Sequence, residues 1–216
     1  MDNPIYTWMD EKEFRMISDV LDYDTVMMEW GSGGSTLAFS SMVSKYYSIE
    51  HDEEWYNKIK LELETSYPLN DVDYRFVKQN KEIDTSQSTY EQFKDYIDEV
   101  DNFNTKFDVV LIDGRARRLC AKKVIPYLKP SSTVFIHDYV LRTPYWVVED
   151  YFKLVDSSTD TVQTLGKFKL RETPSPKAYD LHLGGDERLN NEITEQQARA
   201  TKKMGMGAQE VITKIC

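Results

Sequence analysis

The chain has 216 residues, enough for one domain with a full hydrophobic core, or for one domain with an extension. Its formal net charge of −10 at pH 7 argues against a nucleic-acid partner, because proteins that bind nucleic acids usually carry a basic surface. No apolar run approaches the roughly 20 residues of a membrane span, and the two cysteines make neither a disulfide framework nor a zinc pattern, so we expect a cytoplasmic protein without a membrane partner.

The predicted elements alternate along the chain between short apolar strands and amphipathic helices. We predict helices over residues 7–22, 36–46, 53–65, 90–100, 117–128 and from 144 through 151. We predict strands over residues 25–29, 46–50, 74–77, 107–112, 133–136, 162–170 and 179–183. Such an alternation is typical of a parallel sheet that is covered by helices on both faces.

The expected fold class is therefore α/β, a three-layer Rossmann-like sandwich around a mostly parallel, seven-stranded sheet. We assign residues 1–185 to this domain, and residues 186–216 to a polar, partly helical C-terminal extension. In open sheets of this type the ligand lies beyond the carboxyl ends of the strands. The residues that follow each strand are therefore the candidates for function.

The most informative segment is the glycine-rich turn after the first strand, which reads Glu-Trp-Gly-Ser-Gly-Gly-Ser-Thr over residues 29–36. Glycines let a ligand approach the backbone, and the helix that follows offers unpaired N–H groups to an acidic ligand group. Gly31 and Gly33 fit the spacing of a nucleotide loop, but Thr36 stands where a dinucleotide loop has its third glycine. Glu29 would repel a pyrophosphate and would suit a ligand with a cationic amino group. These features disfavour an NAD-dependent oxidoreductase.

The turn resembles motif I of the class I S-adenosylmethionine (SAM)-dependent methyltransferases, E/D-x-G-x-G-x-G, with Ser35 in place of the third glycine. The resemblance implies that SAM is the cofactor and that it is bound by Glu29, Gly31, Ser32, Gly33, Gly34, Ser35 and Thr36. Glu50 ends the second strand 19 residues after Gly31, close to the distance of roughly 20 residues at which an acid binds the ribose in such folds. His51 follows and would shape the adenosine pocket. The alternative for Glu50 is a solvated acid at a strand end.

Two later strands also end in residues that can carry chemistry. Asp113 follows the strand over 107–112, and His137 and Asp138 follow the strand over 133–136. The segments V-V-L-I-D-G and F-I-H-D-Y resemble the catalytic edge of small-molecule O-methyltransferases, in which acids at these positions bind a divalent metal or activate a hydroxyl. The resemblance implies catalytic roles for all three residues and places Asp113 beside the cofactor as well.

A divalent metal is not favoured, although Asp113 and Asp138 would be its ligands if one were used. Such an ion needs several oxygen ligands, and His137 stands where those families often have a further acid. Methyl transfer to a hydroxyl needs a base, and an imidazole with a pKa near 6.5 suits that task. His137 is therefore the first candidate for the base, and Asp113 or Asp138 acting directly is the second. Three residues nearby could hold an oxygen-rich or anionic acceptor: Arg115, Arg117 and Tyr139.

The predicted function is that of a SAM-dependent O-methyltransferase acting on a small molecule or a glycan. A sugar is favoured because E-W-G-S-G-G-S-T and S-I-E-H-D resemble glycan-modifying methyltransferases, including some from algae and their large DNA viruses. The alternatives are a methyltransferase for another small molecule or a protein, and a non-catalytic SAM-binding subunit. A nucleic-acid N-methyltransferase would be expected to have an Asn/Asp-Pro-Pro-aromatic motif, where this chain has Asp-Gly-Arg-Ala over residues 113–116. A homo-oligomer is left open.

Overall fold

The computed structural model describes residues 9–81, 88–139, 148–158 and 164–172. These residues form a seven-stranded sheet in the order β3-β2-β1-β4-β5-β7-β6. The strands are β1 (Val26–Trp30), β2 (Lys45–Glu50), β3 (Val72–Phe76), β4 (Phe107–Ile112), β5 (Leu128–His137), β6 (Phe152–Ser157) and β7 (Leu165–Leu170). β7 runs antiparallel to both of its neighbours, and the other neighbouring pairs are parallel.

Five helices among the described residues cover the sheet: α1 (Glu11–Ser18), α2 (Gly34–Ser40), α3 (Glu53–Ser66), α4 (Tyr90–Asp98) and α5 (Arg117–Lys123). Successive strand side chains point to opposite faces, so the central strands supply two separate buried layers. The layer against α4 and α5 includes Met28, Trp30, Val110, Ile112 and Val134. The layer against α1 and α2 includes Met27, Val109, Leu111 and Phe135. The predicted α/β fold, with a mostly parallel sheet between two helical layers, is confirmed.

The start of α1 is set by a reciprocal pair of hydrogen bonds. The Asp10 carboxylate accepts from the backbone N–H of Glu13 at 2.8 Å, and the Glu13 carboxylate accepts from the N–H of Asp10 at 3.2 Å. This capping box satisfies backbone donors that the first turn of a helix cannot pair by itself. The helix therefore begins at Glu11, and the predicted start at residue 7 lies outside the described residues.

Several predicted bounds need correction. The helix predicted over 36–46 ends at Ser40. The helix predicted over 117–128 ends at Lys123, because a 3-10 turn over Ile125–Tyr127 carries Pro126, which has no N–H to continue an α-helix, and β5 begins directly after it. In the stretch predicted as a helix through residue 151, residues 148–150 form a 3-10 turn, and 144–147 lie outside the described residues.

The strand β6 was not predicted. It is an edge strand with one fully buried side chain, Phe152, and exposed residues at Lys153 and Asp156, so its sequence lacks a continuous apolar run. The predicted strand over 179–183 lies outside the described residues, as does the proposed extension over 186–216. The domain boundary therefore stays a prediction. No helix in the described part of the chain is long and apolar enough to cross a membrane.

Candidate active site

The glycine turn after β1 packs directly on the turn after β4. Gly31 has a φ of +87°, and a Cβ at this position would lie 2.4 Å from the backbone N and Cα of Gly114. The N–H of Gly31 donates to Ile49 at 2.9 Å, and the N–H of Gly114 donates to Trp30 at 2.7 Å. Glycine at position 31 is therefore required by the fold itself, through both its backbone conformation and this close approach.

Gly33 is different, because its described surroundings do not demand a glycine. Its φ of 171° is extended backbone that any residue adopts. Among the described residues an added Cβ would meet the ring of Trp55, at an ordinary contact distance of 3.8 Å. The same indole donates from Nε1 to the carbonyl of Ser32 at 2.7 Å and holds the turn from outside. The approach of a ligand is the reason for glycine that remains at position 33.

The Glu29 carboxylate lies beneath the turn and is fully buried. It accepts hydrogen bonds from the hydroxyls of Ser35 at 2.5 Å, Thr36 at 2.5 Å and Ser48 at 3.0 Å. Burial raises the pKa of Glu29 to about 7, although the three hydroxyls act in the opposite direction. The hydrogen bonds of Ser35 and Thr36 to Glu29 thus hold the turn in its conformation. A contact of Glu29 with a ligand amino group stays a prediction.

Glu50 ends β2 beside the same turn, as the sequence suggested. Its Oε2 accepts from the N–H of Ser32 at 2.8 Å and from its hydroxyl at 2.9 Å, and its Oε1 accepts from the N–H groups of His51 at 2.7 Å and Asp52 at 2.9 Å. Burial alone would raise the pKa of Glu50, but these hydrogen bonds and His51 bring it below its ordinary value. Glu50 is therefore a charged anchor of the turn.

His51 lies next to Glu50 and faces two aromatic rings. Its Nδ1 is 2.8 Å from Glu50 Oε1, and its ring meets those of Phe93 and Tyr96 edge-on, with centroids 5.6 Å apart in each case. These three rings form an aromatic wall beside the carboxylate of Glu50. Phe93 and Tyr96 were not singled out from the sequence, because their position depends on how α4 packs on the sheet.

At the ends of β4 and β5 the structure brings together the three predicted catalytic residues. His137 Nδ1 lies 2.9 Å from Asp113 Oδ1 and 3.9 Å from Asp138 Oδ1. The His137 side chain is only 4% exposed, whereas that of Asp113 is 26% exposed. Burial lowers the pKa of His137, but the hydrogen bond to Asp113 and the neighbouring carboxylates raise it above its ordinary value. The imidazole is thus enclosed, and it is protonated more readily than a free imidazole.

A residue that the sequence analysis did not single out, Glu13, completes this cluster from the other side. Its Oε2 lies 3.5 Å from His137 Nε2, and its Oε1 accepts from the hydroxyl of Ser158 at 2.9 Å. Glu13 is fully buried on α1, on the same side as Met16 and Ile17. The sequence could have indicated this role, because Glu13 lies three residues before Met16 and four before Ile17. That spacing places its carboxylate on the apolar face of the helix.

Arg117 has a different environment from the one expected for a residue that holds the acceptor. Its side chain is 8% exposed. On the β4 side, Nε donates to the carbonyl of Gly114 at 2.9 Å, and one terminal nitrogen lies 3.3 Å from Asp113 Oδ1. On the β5 side, the other terminal nitrogen donates to Asp138 Oδ2 at 3.0 Å and to the carbonyl of His137. Its N–H groups therefore tie the ends of β4 and β5 together.

The two other residues suggested for the acceptor differ in exposure. Arg115 is exposed in the turn after β4. Tyr139 is 2% exposed; its N–H donates to the carbonyl of Thr164 at 3.0 Å, and its hydroxyl donates to Glu149. Of the three candidates, Arg115 is the one whose side chain is placed to meet a molecule from outside.

The donor set at this edge does not fit a divalent metal ion. Ca²⁺ takes six to eight oxygen ligands, and Mg²⁺ needs an octahedron of oxygens, of which a protein usually supplies one or two carboxylates. Among the described residues no group of three or more His, Cys, Asp or Glu side chains is arranged to hold a metal. The carboxylates of Asp113 and Asp138 are instead both approached by the guanidinium of Arg117.

No protein-family model and no curated protein sequence matches the chain. Among solved structures it is similar to a methyltransferase-like protein from Silicibacter pomeroyi, with 22% identity, a TM-score of 0.61, and coverage of 79% of this chain and 91% of that one. It is also similar to a protein from Streptococcus mutans described as a methyltransferase, in complex with S-adenosylhomocysteine (SAH), with 14% identity, a TM-score of 0.53, and coverage of 76% and 100%.

An rRNA methylase from Streptococcus thermophilus is a third such structure, with 13% identity, a TM-score of 0.54, and coverage of 75% of this chain and 98% of that one. At these identities the likeness defines the fold alone. The chain has the Rossmann-like fold of the class I methyltransferases, and its acceptor has to be argued from the site.

Proposed function

We propose that the protein is a SAM-dependent O-methyltransferase that methylates a hydroxyl of a small molecule or glycan, with a sugar as the favoured acceptor. The observation that carries the proposal is the meeting of two groups of residues at one edge of a methyltransferase-type sheet. One is the glycine turn with Glu50, and the other is the cluster of Asp113, His137 and Asp138. The glycine turn with Glu50 suits the binding of a nucleoside, and the cluster suits the binding and deprotonation of a hydroxyl.

For the cofactor, the turn over 31–34 offers backbone at which a ligand can lie close, and the described surroundings of Gly33 do not otherwise demand a glycine. The carboxylate of Glu50 is charged, and a ribose hydroxyl could replace the hydroxyl of Ser32 as a donor to its Oε2. The ring of His51 beside it is 24% exposed and can contact an adenine, and Phe93 and Tyr96 support that ring from the core. The similar protein from Streptococcus mutans carries SAH, which supports the same ligand class here.

For the reaction, bound SAM would supply an electrophilic methyl group, so the protein's own task is to orient the acceptor and take its proton. His137 is a poor candidate for that base, because Nδ1 faces Asp113 and Nε2 faces Glu13 in a nearly closed environment. Asp113 is the most exposed member of the cluster. We therefore propose that Asp113 accepts the hydroxyl proton while the C–O bond forms and the bond between the methyl group and sulfur breaks. His137 would orient Asp113.

The acceptor class follows from charge and from the cluster. A net charge of −10 disfavours a polyanion such as RNA, although an rRNA methylase shares the fold. A non-catalytic SAM-binding subunit would have no use for a partly buried Asp-His-Asp cluster at the acceptor edge. Arg115, exposed beside Asp113, suits an acceptor rich in oxygen atoms, such as a sugar or a nucleotide sugar.

A panel of acceptors tests this proposal. Purified protein is incubated with SAM and with sugars, nucleotide sugars, phenols, or rRNA and tRNA transcripts, and the release of SAH is measured. We expect turnover with a sugar-class hydroxyl and none with RNA. Asp113→Asn should lower kcat by about 10²–10⁴-fold, because it removes the proton acceptor.

Asp24→Asn is the matched control, because Asp24 is exposed in the turn before β1, away from the acceptor edge. Turnover of RNA alone would overturn the acceptor class. An Asp113→Asn variant with wild-type kcat would overturn the role of Asp113 as the base.

A further inference from the structure

Arg117 links the ends of two neighbouring strands through every nitrogen of its guanidinium. On the β4 side it reaches the carbonyl of Gly114 and the carboxylate of Asp113, and on the β5 side it reaches the carbonyl of His137 and the carboxylate of Asp138. A planar fork with five N–H donors can make these contacts at once, whereas the ammonium of lysine is a single point. The side chain is 8% exposed, so these contacts are made away from bulk water.

The backbone on both sides of this link adopts the left-handed conformation. Ala116, directly before Arg117, has a φ of 51°, and Asp138 has a φ of 58°. Neither residue is glycine, so both conformations carry a steric cost that the surrounding contacts must outweigh. The turn at Ala116 precedes the start of α5 at Arg117, and the one at Asp138 follows the end of β5. Both turns border the link.

Arg117 supplies a positive charge to both aspartates of the cluster. Asp113 and Asp138 are both partly withdrawn from water and lie near the same imidazole nitrogen, so their mutual repulsion needs a cation close to both. The guanidinium lies 3.3 Å from one carboxylate and 3.0 Å from the other. In the related catechol-type edge the resemblance implies a divalent ion between two such acids, and here a side chain of the protein lies between them.

We propose that Arg117 is a positioning residue that takes the place of a divalent metal, holding Asp113 and Asp138 at the separation the acceptor hydroxyl requires. This inference deepens the proposed function and rests on it for its catalytic part. The structural part, that the guanidinium is the cation for both carboxylates, stands independently. Methyl transfer by the protein is then independent of divalent ions, and the fixed position of Asp113 depends on the guanidinium.

The catalytic part is tested with Arg117→Met, which keeps an apolar stem and removes the guanidinium, and with Lys122→Met, which removes a charge from the same helix. Arg117→Met should lower kcat by about 10²-fold, the effect of misplacing a reacting group by about 1 Å, with unchanged SAM affinity. Millimolar guanidinium should restore part of that kcat, and Mg²⁺ should not. EDTA should leave the wild-type kcat unchanged, and Arg117→Lys should fall between wild type and Arg117→Met.

The structural part is tested by melting temperature, which needs no acceptor. Arg117→Met takes the guanidinium away from two partly buried carboxylates, so its Tm should fall by about 6 °C or more. The double variant Arg117→Met/Asp138→Asn should have a higher Tm than Arg117→Met, because one of the two carboxylate charges is removed. Asp138→Asn should not raise the Tm of Lys122→Met. If Arg117→Met does not fold, the same cycle is measured on Arg117→Lys.

The outcomes separate the two proposals. Loss of wild-type activity with EDTA and recovery with Mg²⁺, or wild-type kcat in Arg117→Met, would overturn the metal-replacing role. A Tm of Arg117→Met that Asp138→Asn does not raise would refute the guanidinium as the shared cation. If no acceptor is turned over, the proposed function fails, and the melting experiment still decides the structural part.

Discussion

Among single residues, Glu29, the acidic residue of the glycine-rich motif, has a structural role because it holds the turn in place through hydrogen bonds. Three hydroxyls from α2 and β2 converge on its carboxylate, and no part of it is exposed. A buried carboxyl that accepts three hydrogen bonds loses its hydration but keeps its partners. Glu29 therefore fixes where α2 begins relative to β1, and so fixes the path of the backbone through Gly33.

We expect Glu29 to make stability depend on pH. Its pKa is raised from 4.5 to about 7 in the folded state, so its contribution is fully present below 4.5 and is lost as pH rises through 7. This shift corresponds to roughly 3 kcal/mol of unfolding free energy. Glu29→Gln should remove that pH dependence, which urea unfolding of both proteins between about pH 4.5 and about pH 8 would measure. Parallel pH profiles for the two proteins would rule out the effect.

Among the elements, α1 contributes to the site even though it precedes the sheet in the chain. Glu13 both closes the capping box of α1 and faces His137 Nε2, and its second oxygen accepts from Ser158 in the segment after β6. The position of this helix and the orientation of the imidazole are therefore coupled. α1 forms one wall of the enclosure around His137, and this enclosure supports the proposal that His137 orients Asp113.

Glu13→Gln should lower the pKa of His137, because it removes one of the charges that favour the imidazolium. Glutamine can still complete the capping box, so α1 should remain. In wild type the stabilisation from this raised pKa is present below about 6.5 and lost as pH rises through the folded-state pKa. NMR titration of the three histidines, assigned with His137→Gln, gives the measurement.

The control for this titration is Glu11→Gln, on the same helix but exposed and paired with Arg15. It should leave the pKa of His137 in place. An equal pKa of His137 in wild type and Glu13→Gln would show that Glu13 exerts no influence on the imidazole.

The elements that could be predicted from the sequence were those with continuous burial. β4 was found with its exact bounds because it is an apolar run, and the glycine turn and Glu50 followed from motif spacing. β6 was missed because an edge strand buries only part of one face. The predicted helix was longer than α5 because the periodic apolar pattern continues through the 3-10 turn over Ile125–Tyr127, where Pro126 is the sequence signal for the end of the helix.

The site was predictable as far as topology alone determines it. Carboxyl ends of parallel strands share one edge, so the meeting of Asp113, His137 and Asp138 could be expected. The inward direction of Arg117 follows from the left-handed turn at Ala116, which the sequence does not signal in a residue with a Cβ. The approach of Glu13 to His137 depends on how α1 docks, a long-range contact that no local pattern encodes.

For the whole molecule, the fold and the acidic charge limit the function without naming it. The sheet order and the antiparallel β7 give the methyltransferase-type fold, and a fold of this kind does not by itself determine the acceptor. Every proposal about the acceptor presupposes that the glycine turn binds SAM. The binding of that cofactor is therefore the central claim.

Calorimetric titration of the purified chain with SAM, SAH and NAD tests this claim most directly. The account predicts saturable one-to-one binding of SAM and SAH and no binding of NAD. It also predicts that Gly33→Val keeps the thermal unfolding transition of the wild type but loses the heat of SAM binding, because the new side chain occupies the ligand's path. Binding of NAD without binding of SAM, or undiminished SAM binding by Gly33→Val, would contradict it.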